Sequence, residues 1–165
     1  MFLRVLNKIL NYLIDFPHVV RYLNYQRNIS QYDVDSSFFH GEWTKVYGLG
    51  KLSVGAGSYC GSRCAFSVSK GYEINIGSNV SISHNVRIYT NNRIAKDITS
   101  EKNIVRIRYG NVNIGNNVWI GANVMILEGV SIGDNVVIGA NSVVSKNIPS
   151  NTVAVGAPIK CINCD

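Results

Sequence analysis

Charge is scarce in this chain. Of 165 residues, 16% are Asp, Glu, Lys or Arg against 46% hydrophobic, a balance that suits a packed core and excludes a disordered segment. Histidine is scarcer still, with three, His18, His40 and His84. Acidic residues are outnumbered 10 to 16, giving a net charge of +6 and a pI near 9.2. That excess suggests an anionic partner: a cofactor phosphate, an acidic saccharide, a membrane surface or nucleic acid. No RNA- or DNA-binding motif is present, and the two tryptophans and scattered tyrosines form no basic-aromatic platform, which argues against nucleic acid. A βαβ unit with a glycine-rich phosphate loop is also missing. No apolar run is long enough to span a bilayer, and no small-residue signal cleavage site follows the N-terminus. The length fits one domain with a short appendage.

What is present is a rhythm. From Ile114 to Ile148 an aliphatic residue returns every sixth position, in Ile114, Ile120, Ile126, Ile132, Ile138 and Val144. A second small or aliphatic residue follows four positions later, in Val118, Val124, Val130, Val136, Ser142 and Ile148. Six residues match neither the roughly 3.6 of a helix nor the alternation of a one-sided strand, so a short strand and a turn alternate within each repeat. The fourth hexad position reads Asn117, Asn123, Gly129, Asn135, Asn141 and Asn147. Asn and Gly tolerate the left-handed backbone of a tight corner. Three hexads then make one triangular turn that advances by one strand spacing of about 4.8 Å.

The same phase is readable at Val54, Cys60 and Phe66, and again at Ile76, Ile82 and Ile88 with Asn79, Asn85 and Asn91 at the corners. Cys60 and Cys64 fall on inward positions and read as small core residues. Cys161 and Cys164 form a CxxC, but inward thiols on one coil point away from a C-terminal tail, so no metal site is expected. Arg63 stands where an Asn or Gly corner belongs and is a candidate site residue for that reason. Between Ile88 and Ile114 lie two residues more than four hexads, and residues 93–111 carry no phase, which marks an extruded loop. It carries Arg93, Lys96, Lys102, Arg106 and Arg108, and loops pushed out of rigid solenoids are common binding elements.

Residues 1–30 differ in kind. Phe2, Val5, Leu6, Ile9, Leu10, Leu13 and Phe16 recur at helical spacing before Pro17, which predicts a short amphipathic helix. It either packs on the coil or at a subunit contact, or anchors residues 1–27 peripherally on a membrane through Arg4, Lys8, Arg21 and Arg27. Residues 32–51 are irregular, and Phe38, Phe39, Trp43 and Tyr47 are expected to cap the open end of the coil. The chain divides into a helix over 1–30, a coil over 31–160 with its loop at 93–111, and a tail over 161–165.

The stretch IGNNVWIGANVMILEGVSIGDNVVIGANSVVSKNIPSNTVAVGAPIK, residues 114–160, resembles the C-terminal half of the hexapeptide-repeat sugar and polysaccharide O-acetyltransferases of the galactoside, maltose and nodulation-factor type. The resemblance implies an all-β fold, a left-handed parallel β-helix, in a cytoplasmic homotrimer with acetyl-CoA in the groove between neighbouring coils and a saccharide acceptor. Position by position it implies that Trp119 lies beside the thioester, that the backbone at Gly121, Ala122 and Ala140 meets the pantetheine arm, and that Ser145, Lys146 and Lys160 complete the acetyl-CoA site. Small residues let a backbone approach an extended ligand, and lysines meet phosphates.

The sequence departs from that family at the base. Galactoside-type enzymes carry a histidine in the loop after the hexad beginning at Ile88, where this chain reads TNNRIAKD. His84, in ISHNV, resembles the catalytic histidine of the lipid A acyltransferases and of several nucleotide-sugar N-acetyltransferases. It is therefore the candidate general base, accepting the proton of a sugar hydroxyl as that oxygen attacks the thioester. Asn85, Arg63 and Arg93 are the candidate acceptor-binding residues; loop 93–111, helped by Arg63, is expected to orient the acceptor, and the positive charge of that loop suggests an acidic saccharide. N-acetylation of a nucleotide-linked amino sugar is the second reading, and a non-catalytic scaffold the third. A γ-class carbonic anhydrase would need three zinc-binding histidines, and His84 alone lies within the repeat.

Overall fold

The computed structural model describes Val20, residues 32–100 and residues 105–162. The chain divides into two units, Met1–Tyr32 and Asp33–Asp165, and the helix expected over residues 1–30 lies outside the described residues. The second unit is a parallel β-solenoid with three faces. The first face stacks β1 (Asp33–Val34), β4 (Lys51–Val54), β7 (Glu73–Ile76), β12 (Val112–Ile114) and β15 (Ser131–Ile132). The second stacks β2 (Phe39–His40), β5 (Tyr59–Cys60), β8 (Ser81–Ile82), β13 (Trp119–Ile120), β16 (Val137–Ile138), β18 (Val153–Val155) and β19 (Lys160–Ile162). The third stacks β3 (Lys45–Gly48), β6 (Ala65–Val68), β9 (Arg87–Tyr89), β14 (Met125–Ile126) and β17 (Val143–Val144). Successive passages through all three faces form rungs beginning at Asp33, Lys51, Glu73, Val112 and Ser131.

The period of six explains the stacking. Register is kept from rung to rung, as in Cys60 beside Ile82, Ile82 beside Ile120, and Ile120 beside Ile138. Each aliphatic column is fully enclosed: Ile82, Ile88, Ile120 and Ile126 expose no surface. Burying such a side chain stabilises by about 1.5–3 kcal/mol, and each rung repeats the gain. The corners follow the same logic, because Asn79, Asn85, Asn117, Asn123, Asn135, Asn141 and Asn151 all hold positive φ. Their amides bond upward in ladders, Asn117 to Asn135 at 3.2 Å and Asn123 to Asn141 at 3.0 Å.

Three expectations change. Residues 32–51 are not a cap: β1, β2 and β3 form a complete first rung, with Phe39, Trp43 and Tyr47 exposed on its outside. Asn91 and Asn147 are not left-handed corners. The third corner of each rung is where the chain departs from its hexads, so Asn91 opens a strand, and beyond Asn147 the ladder resumes at the first corner with Asn151, whose Oδ1 accepts from Asn135 Nδ2 at 3.0 Å. The described part of the unphased segment is built rather than irregular. β10 (Asn91–Arg93) and β11 (Ile107–Tyr109) pair antiparallel around α1 (Ala95–Thr99). Buried Asp97 clamps the hairpin, accepting bonds from Arg106 Nε at 2.8 Å and Nη2 at 2.9 Å.

Candidate functional site

Register decides which candidate residues meet. The second corner of the coil, between the second and third faces, brings the third hexad positions into one column: Glu42, Ser62, His84, Ala122 and Ala140. The backbone at this corner repeats from rung to rung. Arg63 N–H donates to Glu42 O at 2.8 Å, Asn85 N–H to Ser62 O at 2.9 Å, Asn123 N–H to His84 O at 3.0 Å and Asn141 N–H to Ala122 O at 2.9 Å. His84 and the two alanines are thus successive steps of one column, spaced by about 4.8 Å.

Beside this column, on the second face, runs an outward column of Phe39, Tyr59, Ser81, Trp119, Val137 and Val153. Trp119 is 56% exposed. An indole left in water on a regular repeat surface is an unused binding area. Gly121 sits between the two columns for a packing reason: a Cβ there would lie 2.6 Å from Ala140 N and 2.9 Å from its Cα.

The His84 ring lies on the rung below it. A Cβ on Gly61 would meet its Nδ1 at 2.7 Å, and the Ser62 N–H donates to Nδ1 at 2.9 Å. With Nδ1 accepting, the neutral ring carries its proton on Nε2 and offers a donor to its surroundings. The proton-accepting role expected of His84 needs the opposite tautomer, and reaching it sacrifices the Ser62 bond, worth about 0.5–1.5 kcal/mol.

Asn85 stands one residue on, at φ 59°, and its Nδ2 donates to Asn123 Oδ1 at 2.8 Å. Arg63 occupies the same corner one rung lower at φ 62°, with Trp43 below it at φ 63°. Neither Arg nor Trp is at ease in the left-handed region. Arg87, at the sixth hexad position beside this corner, donates from Nη1 to Arg63 O at 3.0 Å. That residue was not singled out in the sequence, although it shares the outward sixth position with Trp119.

The remaining candidates lie elsewhere on the coil. Ser145 and Lys146 follow β17 at the far end of the third face, and Lys160 opens β19 at the terminal edge of the second. All three are exposed. Arg93 ends β10 on the hairpin, opposite Ile107. At the hairpin root Glu128, whose side chain is 5% exposed, meets Arg108 Nη1 at 3.6 Å through one oxygen, while Oε2 has no partner. No sequence signal marks it, since Glu128 precedes the ordinary corner Gly129.

Inside the same rungs, Cys60 and Cys64 are buried as expected, with the Cys64 thiol 3.1 Å from Ser83 O. The hydrogen bond between the two thiols, together with burial, pushes Cys60 up, and the same bond brings Cys64 down to about 7. Cys161 is exposed on β19, and Cys164 lies outside the described residues. Among the described residues no group of three or more His, Cys, Asp or Glu could hold a metal ion. Among them, too, no helix is long and apolar enough to cross a membrane.

The repeat has counterparts of known kind. Residues 111–146 match the family model described as bacterial transferase hexapeptide (six repeats). The crystal structure of a maltose O-acetyltransferase from Clostridium difficile 630 is 36% identical, with a TM-score of 0.62 over 78% of this chain and 66% of that one. A galactoside acetyltransferase in complex with coenzyme A is 34% identical, with a TM-score of 0.60 over 76% of this chain and 64% of that one. The chain therefore spans a little under two thirds of either protein. AntD, an N-acyltransferase from Bacillus cereus in complex with dTDP and coenzyme A, shares the fold at 21% identity and a TM-score of 0.64, over 79% of each chain. A comparison with curated proteins returns no match. With hexads in continuous register, Asn-cornered rungs and these likenesses, the chain belongs to the hexapeptide-repeat transferase family and shares its coil with the sugar O-acetyltransferases.

Proposed function

We propose that the protein is an acetyl-CoA-dependent O-acetyltransferase acting on a saccharide hydroxyl of a surface glycan or its precursor. The observation that carries this reading is the pair of adjoining columns: a small-residue corner of Ala122 and Ala140 continuing from His84, flanked by the exposed indole of Trp119. Small side chains admit an extended thioester arm, and the indole covers it. Two relatives above 30% identity are acetyltransferases of maltose and galactoside, the second bound to coenzyme A. Three copies of the chain would enclose the groove, and Ser145, Lys146 and Lys160 would meet the phosphates at its upper end.

Acetyl-CoA supplies an activated acyl group. The chain's part is to orient the acceptor hydroxyl and to take its proton. In our reading His84 takes it, after Nδ1 exchanges the Ser62 N–H for its own proton and frees the Nε2 lone pair. Thiol release from acetyl-CoA across a saccharide panel tests this. His84→Ala and His84→Gln should both lose about a hundredfold or more in kcat, with acetyl-CoA binding retained. Glutamine keeps a donor without a lone-paired ring nitrogen, so activity preserved in His84→Gln makes the ring a hydrogen-bond donor and refutes the base.

The Ser62 bond to Nδ1 favours one second reading. A neutral amino sugar attacks with its own lone pair, so N-acylation suits an imidazole that presents Nε2–H to the acyl oxygen, the ammonium proton of the adduct passing to the departing thiolate. Faster transfer to amino sugars than to the corresponding hydroxyl sugars would select it.

A further inference from the structure

We propose that the second corner, across the second and third rungs, is an anion subsite for the acceptor, and that the saccharide accepted is negatively charged. The proposal rests on the acyl-transfer reading above and adds the substrate class. Four observations converge. Every other non-glycine left-handed corner from the second rung upward is asparagine, and the exception, Arg63, lies on the rung directly beneath Asn85 and its neighbour His84. An asparagine there would extend the ladder at no steric cost, so an arginine held at φ 62° spends fold stability on a cation at this place.

A second cation is held against the backbone of the first. Arg87 reaches down to donate to the Arg63 carbonyl at 3.0 Å, and Lys45 lies in Arg87's column two rungs below. Among the described residues neither guanidinium forms an ion pair with a carboxylate. The nearest acid along the column, Glu42, meets Arg63 through its backbone carbonyl, and its carboxylate pairs with neither arginine. Two cations at one corner with no paired acid among the described residues raise the local potential and draw an oxyanion.

The third observation concerns the ladder. Each Asn donates upward, so the lowest member keeps a carbonyl oxygen that the next Asn down would have used. At this corner that atom is Asn85 Oδ1, which has no donor among the described residues, because Arg63 replaces the missing rung of the ladder. An open acceptor at a corner that also carries Arg63, Arg87 and the His84 imidazole matches a sugar that carries both a hydroxyl and an anionic group. Fourth, the residues expected to meet coenzyme A, Trp119 to Lys160, all lie on higher rungs. The second and third rungs at this corner are left for the acceptor.

Methyl β-glucuronide and methyl β-glucoside, which share a ring and differ in one carboxylate, test the assignment, with glucose 6-phosphate as the phosphate arm. Binding is read by ligand-observed NMR on the protein saturated with coenzyme A, and transfer by thiol release. We expect the glucuronide or the phosphosugar to bind at least tenfold more tightly than the glucoside. Arg63→Asn, which continues the ladder, should remove that preference, as should Arg87→Gln, while acetyl-CoA binding stays unchanged. Loss of about tenfold to a hundredfold is the range for one charge-assisted contact. The preferred anion identifies carboxylate or phosphate. Equal binding of charged and neutral sugars, or a preference that survives both variants, overturns the subsite. A variant that instead weakens acetyl-CoA assigns the arginines to the donor's phosphates and also overturns it. If the anionic sugar binds with its preference abolished by the variants but no acetyl group moves to any sugar, the subsite stands and the transfer reading fails.

Discussion

The upper and lower halves of the coil obey the same repeat with different strictness. From Val112 to Val155 the inward columns are aliphatic apart from Ser142 and Ala154, and Asn or Gly occupies the left-handed corners. From Asp33 to Thr90 the inward columns take in His40, Thr44, Cys60 and Cys64, and Trp43 and Arg63 stand at corners. The upper half is a scaffold in which each rung supports the next. In the lower half stability is given up at one corner, and the polar and charged residues of the candidate site gather there. A repeat protein makes this division simple, because a rung contacts only its neighbours and tolerates local exceptions.

The comparison breaks most sharply in the core. Ile126→Ala in the upper half should destabilise by about 2–5 kcal/mol in urea unfolding, since the column cannot collapse around a missing side chain. Cys64→Ala, lower down, removes one sulfur and should cost about 1–2 kcal/mol. If the two costs are equal, the lower rungs are packed as tightly as the upper ones and the contrast is void.

The corners give a smaller effect with opposite signs. Asn123→Ala loses the bond from Asn85 at 2.8 Å and the bond to Asn141 at 3.0 Å and leaves alanine in the left-handed region, a loss of about 2 kcal/mol. Arg63→Asn should do the reverse and stabilise by about 0.5–1 kcal/mol. Thermal melts of the two variants check both signs. A destabilised Arg63→Asn would mean that the arginine serves the fold.

The smallest effect is a pH dependence. Burial lowers the pKa of His40, and its contact with Gly41 O at 3.1 Å only partly offsets this. The native state then binds fewer protons than the unfolded chain just below the ordinary histidine value. Stability from this group is present above about 6.5 and falls as the pH drops through the lowered value. His40→Gln should flatten that slope in melts between pH 7.5 and 5, and an unchanged slope would remove His40 as its source.

Much of this was legible in the residues. The hexad starting at Ile114 set the coil, its inward columns and the outward sixth position of Trp119, because period and side-chain direction are local properties. Arg63 drew attention by breaking the corner rule, and the structure finds it in the left-handed region. Other features could not be read along the chain. The first rung at residues 33–50 has polar and aromatic residues where the upper rungs have aliphatics, so along the chain it reads as a cap. The hairpin over 91–109 depends on Asp97 meeting Arg106 across nine positions, which no periodicity records. Arg87 and Glu128 acquire meaning only from neighbours on adjacent rungs.

By itself the sequence determined the winding of the chain, since a six-residue alternation of buried aliphatic and left-handed Asn leaves the backbone one economical path. Only the tertiary structure decided which residues share a corner: rungs separated by 18 to 38 positions must lie in register before His84 stands above Ser62 and below Ala122. It also decided which imidazole nitrogen carries the proton, because that follows from one backbone N–H on the rung below.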